Sequence, residues 1–135
     1  MLKNKTLKIC LWILFIFYIG IVLKLTIIRD NNVRDITLIP ARVLINNYQR
    51  GGKSYFYYLF FGNIGWFFPF GFALPLLIKN MSLKKTIFLT FLFSLFIEAS
   101  QYIFAVGYSE IDDLILNTLG GALGYLALVK RKVML

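Results

Sequence analysis

The sequence predicts an all-α membrane protein: an integral four-helix bundle with a short external surface helix between helices one and two. Three observations carry that expectation. The chain has 135 residues, 59% of them hydrophobic and 18% aromatic, with a mean hydropathy of +0.75, well outside the range of soluble domains. Its apolar residues form four runs close to the twenty needed to cross a bilayer, at 9–28, 57–78, 86–106 and 111–129. Its charges fall mostly between those runs. β-Barrel strands would alternate over about ten residues instead of running continuously apolar for about twenty, so helices are the spanning element. Residues 1–135 read as a single membrane domain.

The net charge of +9 does not point to nucleic acid, because the basic residues sit in short blocks beside the apolar runs. Lys3, Lys5 and Lys8 precede the first, Lys79, Lys84 and Lys85 divide the second from the third, and Lys130, Arg131 and Lys132 follow the fourth. The positive-inside rule places these blocks, and with them both termini, on the cytoplasmic side of the membrane. The turn from Gly107 to Asp113 has three acids and no Lys or Arg, so it falls outside. The 29–56 loop carries Arg29, Arg34, Arg42, Arg50 and Lys53 against this rule, and its length weakens the conflict.

The first run carries Lys24 near its outer end, where a long stem reaches the interface, and lone Cys10 as a small apolar residue. No small-x-small cleavage pattern follows, so an uncleaved helix is expected. In the external loop, Pro40 suits the first turn of a short helix through Arg42, Val43, Leu44 and Ile45, and Gly51-Gly52 suits its end. The second run contains Asn63, Pro69 and Pro75; each proline removes a backbone hydrogen bond, which predicts a kinked or locally opened helix. In the third, Ser94, Glu98, Gln101 and Ala105 form one helical stripe. In the fourth, Asp113, Asn117, Gly120 and Gly124 repeat that spacing, and the Gly-x-x-x-Gly permits close approach of another helix. These stripes are expected to face each other across the third and fourth helices.

Glu98 is the most informative residue. A carboxylate inside a spanning segment is costly and marks a functional site by default. Counting about 1.5 Å per residue from the outer helix ends puts Glu98 roughly 12 Å deep, Gln101 roughly 8 Å, and Asn63 and Asn117 roughly 9 Å each. With Asp112 and Asp113 above them, these six residues form the candidate polar intramembrane site, and Arg42 is its candidate cationic partner. Asp112 and Asp113 also suit ordinary helix capping, and Glu98 an interhelical hydrogen bond.

The chain has no His and one Cys, so the commonest general base and metal-ligand sets are missing; no cofactor or metal is expected. Clustered carboxylates could take a proton, a divalent cation or a cationic group on a ligand. No nucleophile or phosphate loop is marked out, so an enzyme is the weaker reading. The partner expected from the residues is the lipid bilayer, and a homo-oligomer is compatible with the chain.

Leu38-Ile39-Pro40, the block Gly62 to Pro75 containing Asn63-Ile64-Gly65-Trp66, Ile97-Glu98-Ala99-Ser100-Gln101, and the block Ile111 to Tyr125 beginning Ile111-Asp112-Asp113 together resemble the VanZ-like family of small bacterial membrane proteins. The blocks occur in the family's order over most of the chain from about residue 38. Glu110 stands where the family's acidic run usually starts with Asp, the basic residue often seen before it is absent, and Ala41 replaces a common aromatic. The resemblance implies a cell-envelope role, with a glycopeptide-related or envelope-precursor ligand, since the founding member is linked to teicoplanin resistance. Two other classes stay open: a small enzyme on a lipid-linked envelope precursor, with Glu98 as acid or base and Asp112 and Asp113 on a metal, and a proton- or cation-coupled carrier.

Overall fold

The computed structural model describes residues 4–28, 33–50 and 52–133, with side chains through residue 130. Lys3, Arg29 and Gly51, and the side chains of Arg131 and Lys132, lie outside the described residues. The elements run α1 (Lys5–Ile27), β1 (Val33–Thr37), α2 (Arg42–Arg50), α3 (Lys53–Leu77), α4 (Leu83–Phe104), β2 (Val106–Glu110) and α5 (Ile111–Val133). α1, α3, α4 and α5 are long and apolar enough to cross a membrane, and α2 is the short surface helix.

Local chemistry sets the ends. Asn4 accepts from the Leu7 N–H at 3.3 Å and caps α1, while Ser82 accepts from the Lys85 N–H at 3.3 Å and caps α4. α4 stops at Phe104 because Ala105 turns left-handed (φ 54°) and returns its N–H to the last turn. Ala105 therefore caps α4 and does not continue the Ser94–Glu98–Gln101 stripe. That stripe extends the other way instead. Thr86 and Thr90 lie on it, and with Ser94 they are fully buried.

The sequence reading contained no strand, yet Val33–Thr37 and Val106–Glu110 pair in parallel, Val33 opposite Val106 and Thr37 opposite Glu110. Each strand is five residues long, and the partners are separated by three helices, so nothing local in the sequence announces the pairing. The sheet gathers the C-terminal ends of α1 and α4 and the start of α5 at one end of the bundle. The α3–α4 turn lies at the other.

α3 remains helical through Pro69 and Pro75. The Trp66 carbonyl, one turn before Pro69, accepts the Tyr18 hydroxyl of α1. The glycine seam has a different partner from the expected one. α5 packs chiefly on α3, and the missing side chains of Gly120 and Gly124 make room for the Ile64 and Phe68 carbonyls of that helix. Gly71 of α3 meets Gly121, whose other neighbour is Thr90 of α4. Backbones approach this closely only where Cβ atoms are missing.

Among the described residues the buried apolar side chains are Val22, Phe67, Phe70, Leu74, Leu77, Ile97, Leu114, Leu116 and Leu128, of which Val22, Phe67 and Ile97 cluster together, flanked by Tyr18, Leu23 and Phe93. Most other large apolar side chains point outward, as expected where lipid is the solvent.

Candidate functional site

A cavity of about 960 Å³ opens at the sheet end of the bundle, and every helix contributes to its wall. α4 supplies Glu98 and Gln101, α5 supplies Asp113 and Asn117, and α3 supplies Asn63. Five of the six sequence-derived site residues thus meet in one space.

Glu98 is only 5% exposed, and its carboxylate accepts the backbone N–H of Glu110 at 2.8 Å. This bond ties α4 to β2. Gln101 donates through Nε2 to the Thr26 carbonyl of α1 at 3.3 Å. A carbonyl can only accept, so the amide orientation is determined and Oε1 must point away from Thr26. Asn117 donates to the Ser94 hydroxyl at 2.9 Å. Asn63 donates to the Asp113 carboxylate at 2.5 Å, joining α3 to α5. Three buried side-chain oxygens have no hydrogen-bond partner among the described residues: Gln101 Oε1 and Asn117 Oδ1 here, and Thr86 Oγ1 in the first turn of α4.

Asp112 is buried but stands outside the cavity wall. Its carboxylate accepts the Ala41 N–H at 2.6 Å and the Leu44 N–H at 3.3 Å. Those are the free donors at the start of α2, where Pro40 and Ala41 offer no capping side chain. Asp112 therefore caps a helix distant in sequence instead of its own. Arg42 occupies the first position of that helix, exposed to solvent and outside the cavity wall. Pro69 and Pro75 lie on α3 away from the wall, and Gly120 and Gly124 lie in the α3–α5 seam.

Some lining residues were not singled out as site residues in the sequence. Glu110, counted only as the start of an acidic run, enters the wall through β2. Its carboxyl is pushed up to about 7, mainly by burial and then by Asp113, Asp112 and Asp35. Lys24, expected to reach for the interface, stands on the rim with Tyr55, Tyr58 and Tyr108. Val43 and Asn47 of α2 close one side. The pairing of β1 with β2 and the bond from the Glu110 N–H to Glu98 bring Glu110 into place, so spacing along α5 could not reveal it. Among the described residues, no three His, Cys, Asp or Glu side chains converge in a way that could hold a metal ion.

A second, smaller cavity of about 350 Å³ lies on the far side of Glu98 and Glu110, which line both. Its remaining wall is almost wholly apolar, from Ile36 of β1 and Leu38 just after it, Leu95, Tyr102 and Ile103 of α4, and Leu114 of α5. Arg34 braces this side, donating to the Ile103 carbonyl at 3.2 Å with its guanidinium 5.7 Å from the Tyr102 ring centre.

Residues 9–133 match the family described as VanZ/LLP1. A 62-residue stretch is 39% identical to Protein VanZ of Enterococcus faecium, covering 46% of this chain and 38% of that protein. The chain thus aligns with well under half of that relative's length. No solved structure gives a significant match.

Proposed function

This chain belongs to the VanZ/LLP1 family of membrane proteins, and from that premise we propose that it serves the bacterial envelope by binding an envelope-associated ligand in the sheet-end cavity, lowering susceptibility to the glycopeptide teicoplanin. One observation carries the reading: carboxylates and amides from α3, α4 and α5 converge on a single cavity inside a bundle otherwise faced with apolar side chains. Polar groups at such a depth are expensive unless they serve a ligand or each other. Here two amide oxygens serve neither among the described residues. The similarity to Protein VanZ supports the envelope setting. Glycopeptides act outside the cytoplasmic membrane, which suits a cavity facing outward. The role is one of binding and does not require this chain to catalyse a reaction.

Expression of the chain in a susceptible Gram-positive host is expected to raise the teicoplanin inhibitory concentration several-fold. Glu98→Gln is expected to abolish the rise at equal protein level in the membrane. An unchanged inhibitory concentration with the wild-type chain present would remove the resistance role.

A further inference from the structure

We propose that α2 is a docking surface for anionic phospholipid: its exposed apolar flank seats in the leaflet at the sheet end, while Arg42, Arg50 and neighbouring Lys53 bind lipid phosphates. The inference concerns the outer surface and goes beyond the cavity behind it.

Helical geometry gives α2 three distinct sides. At about 100° per residue, Val43, Leu44 and Asn47 share one side, Ile45 and Tyr48 the next, and Arg42, Asn46, Gln49 and Arg50 the third. The first side is half-buried, and its Val43 and Asn47 close the cavity. Ile45 and Tyr48 are exposed, as are Leu38 and Ile39 just before the helix. Tyr48 meets Phe56 of α3 edge to face with ring centres 5.5 Å apart, so this apolar flank continues onto a spanning helix.

Position supplies the occupant. Residues 51 and 52 alone separate α2 from α3, a helix long and apolar enough to cross the membrane. α2 therefore lies where a span begins, at the level of the head groups. Exposed Tyr55, Tyr57 and Tyr58 in the first turns of α3 suit that level, where amphipathic rings collect. An apolar flank beside a span meets acyl chains, and the basic side stays among the head groups.

Charge selects the head group. Among the described residues, the side chains of Arg42, Arg50 and Lys53 are exposed and take part in no hydrogen bond or ion pair, whereas Arg34 is engaged by the Ile103 carbonyl and the Tyr102 ring. The acids of this end do not cancel them. Asp112 is buried on the α2 N–H groups, Glu110 and Asp113 are half-buried, and Asp35 is the one exposed acid among the described residues. Over residues 29–53 the sequence sets five basic residues against Asp30 and Asp35. The surface is basic although the interior behind it is acidic. Guanidinium and ammonium groups at this level pair with phosphate and favour lipids of net negative charge.

The test uses the full chain, with Cys10→Ala, in vesicles of phosphatidylcholine and phosphatidylglycerol in which equal amounts of one lipid or the other carry brominated acyl chains. A bimane fluorophore is attached at Ile45→Cys or at Asn46→Cys. Bromine should quench the fluorophore strongly on the apolar flank at Ile45→Cys and weakly on the basic side at Asn46→Cys. At Ile45→Cys, brominated phosphatidylglycerol should associate at least about fivefold more strongly than brominated phosphatidylcholine, the preference that one engaged basic side chain gives. Arg42→Gln, Arg50→Gln and Lys53→Gln together should bring the two lipids to equality, with circular dichroism confirming the fold. Raising sodium chloride to about 1 M, where charges reach only about 3 Å, should lessen the preference without any substitution of the basic residues. Quenching at Ile45→Cys no stronger than at Asn46→Cys overturns the seating of the flank. Equal association of the two lipids, or a preference that salt leaves unchanged, overturns the selection by charge. A preference that survives the triple substitution overturns the residues named, and one abolished by soluble glycerol phosphate overturns the lipid source. None of these measurements involves teicoplanin, so the surface and the resistance role stand or fall separately.

Discussion

Glu110 shows how one residue acquires its character from neighbours that the sequence does not place beside it. It ends β2, its backbone N–H is taken by Glu98, and its carboxyl stands among Asp35, Asp112 and Asp113. Burial and these acids raise it from 4.5 to about 7. A carboxyl that holds its proton more tightly in the folded chain than in the unfolded one favours folding while protonated. Its contribution is fully present below about pH 4.5 and is lost as pH rises towards 7, opposite in sign to a salt-bridged carboxylate. The thermal midpoint of the purified protein should therefore decline across that window, and Glu110→Gln should flatten the decline. A wild-type profile that climbs from pH 4.5 to 7, or one the variant leaves unaltered, would contradict the environment described for this residue. Asp112 teaches the same lesson differently: its position in the first turn of α5 suggested that it caps that helix, but its oxygens cap α2.

Among the elements, the α3–α5 pair organises the bundle. Gly120 and Gly124 were legible as a close-packing face because four-residue spacing puts them on one side of a helix. The identity of the facing helix was not legible, since periodicity describes a face and not what it meets. Gly71, opposite Gly121, completes the seam from a segment where the prolines drew the attention. A Cβ at Gly120 would overlap the Ile64 carbonyl, which belongs to the helix backbone and has little room to yield. Gly120→Val should cost about 1–3 kcal/mol or more through forced separation of α3 from α5. Gly20→Val, where a Cβ meets nothing within 4 Å, is the matched control and should leave stability close to wild type. Equal thermal midpoints for the two variants would refute the tight seam. The same contacts bear on transport. The polar stripe of α4 continues through Thr90 to Thr86, but Thr90 is packed against Gly121, so the stripe is closed there and offers no open path across the bundle.

At the scale of the whole molecule, the four spanning helices were visible in the sequence because about twenty consecutive apolar residues have few alternatives in water. The five candidate residues that line the cavity stood out in the sequence because carboxylates and amides contrast with Phe, Leu and Ile. The sheet was not, and it is the sheet that divides the molecule into unlike ends. Asp35, Glu110, Asp112 and Asp113 stand at one end together with Arg34, Arg42, Arg50 and Lys53, while Lys5, Lys8, Lys79, Lys84, Lys85 and Lys130 stand at the other with no acid among the described residues. With charge divided this way, the positive-inside rule predicts that the lysine end is cytoplasmic and the cavity outward. Cysteine labelling in intact cells tests this once exposed Cys10 is replaced by Ala. Ser109 lies in the acidic segment but is 8% exposed, so a cysteine there would react poorly on either side; Tyr108, 57% exposed, is the better position. A membrane-impermeant maleimide should label Tyr108→Cys in intact cells and Lys84→Cys only after permeabilisation. The opposite pattern would turn the cavity towards the cytoplasm, where a glycopeptide acting outside the membrane could not be its concern.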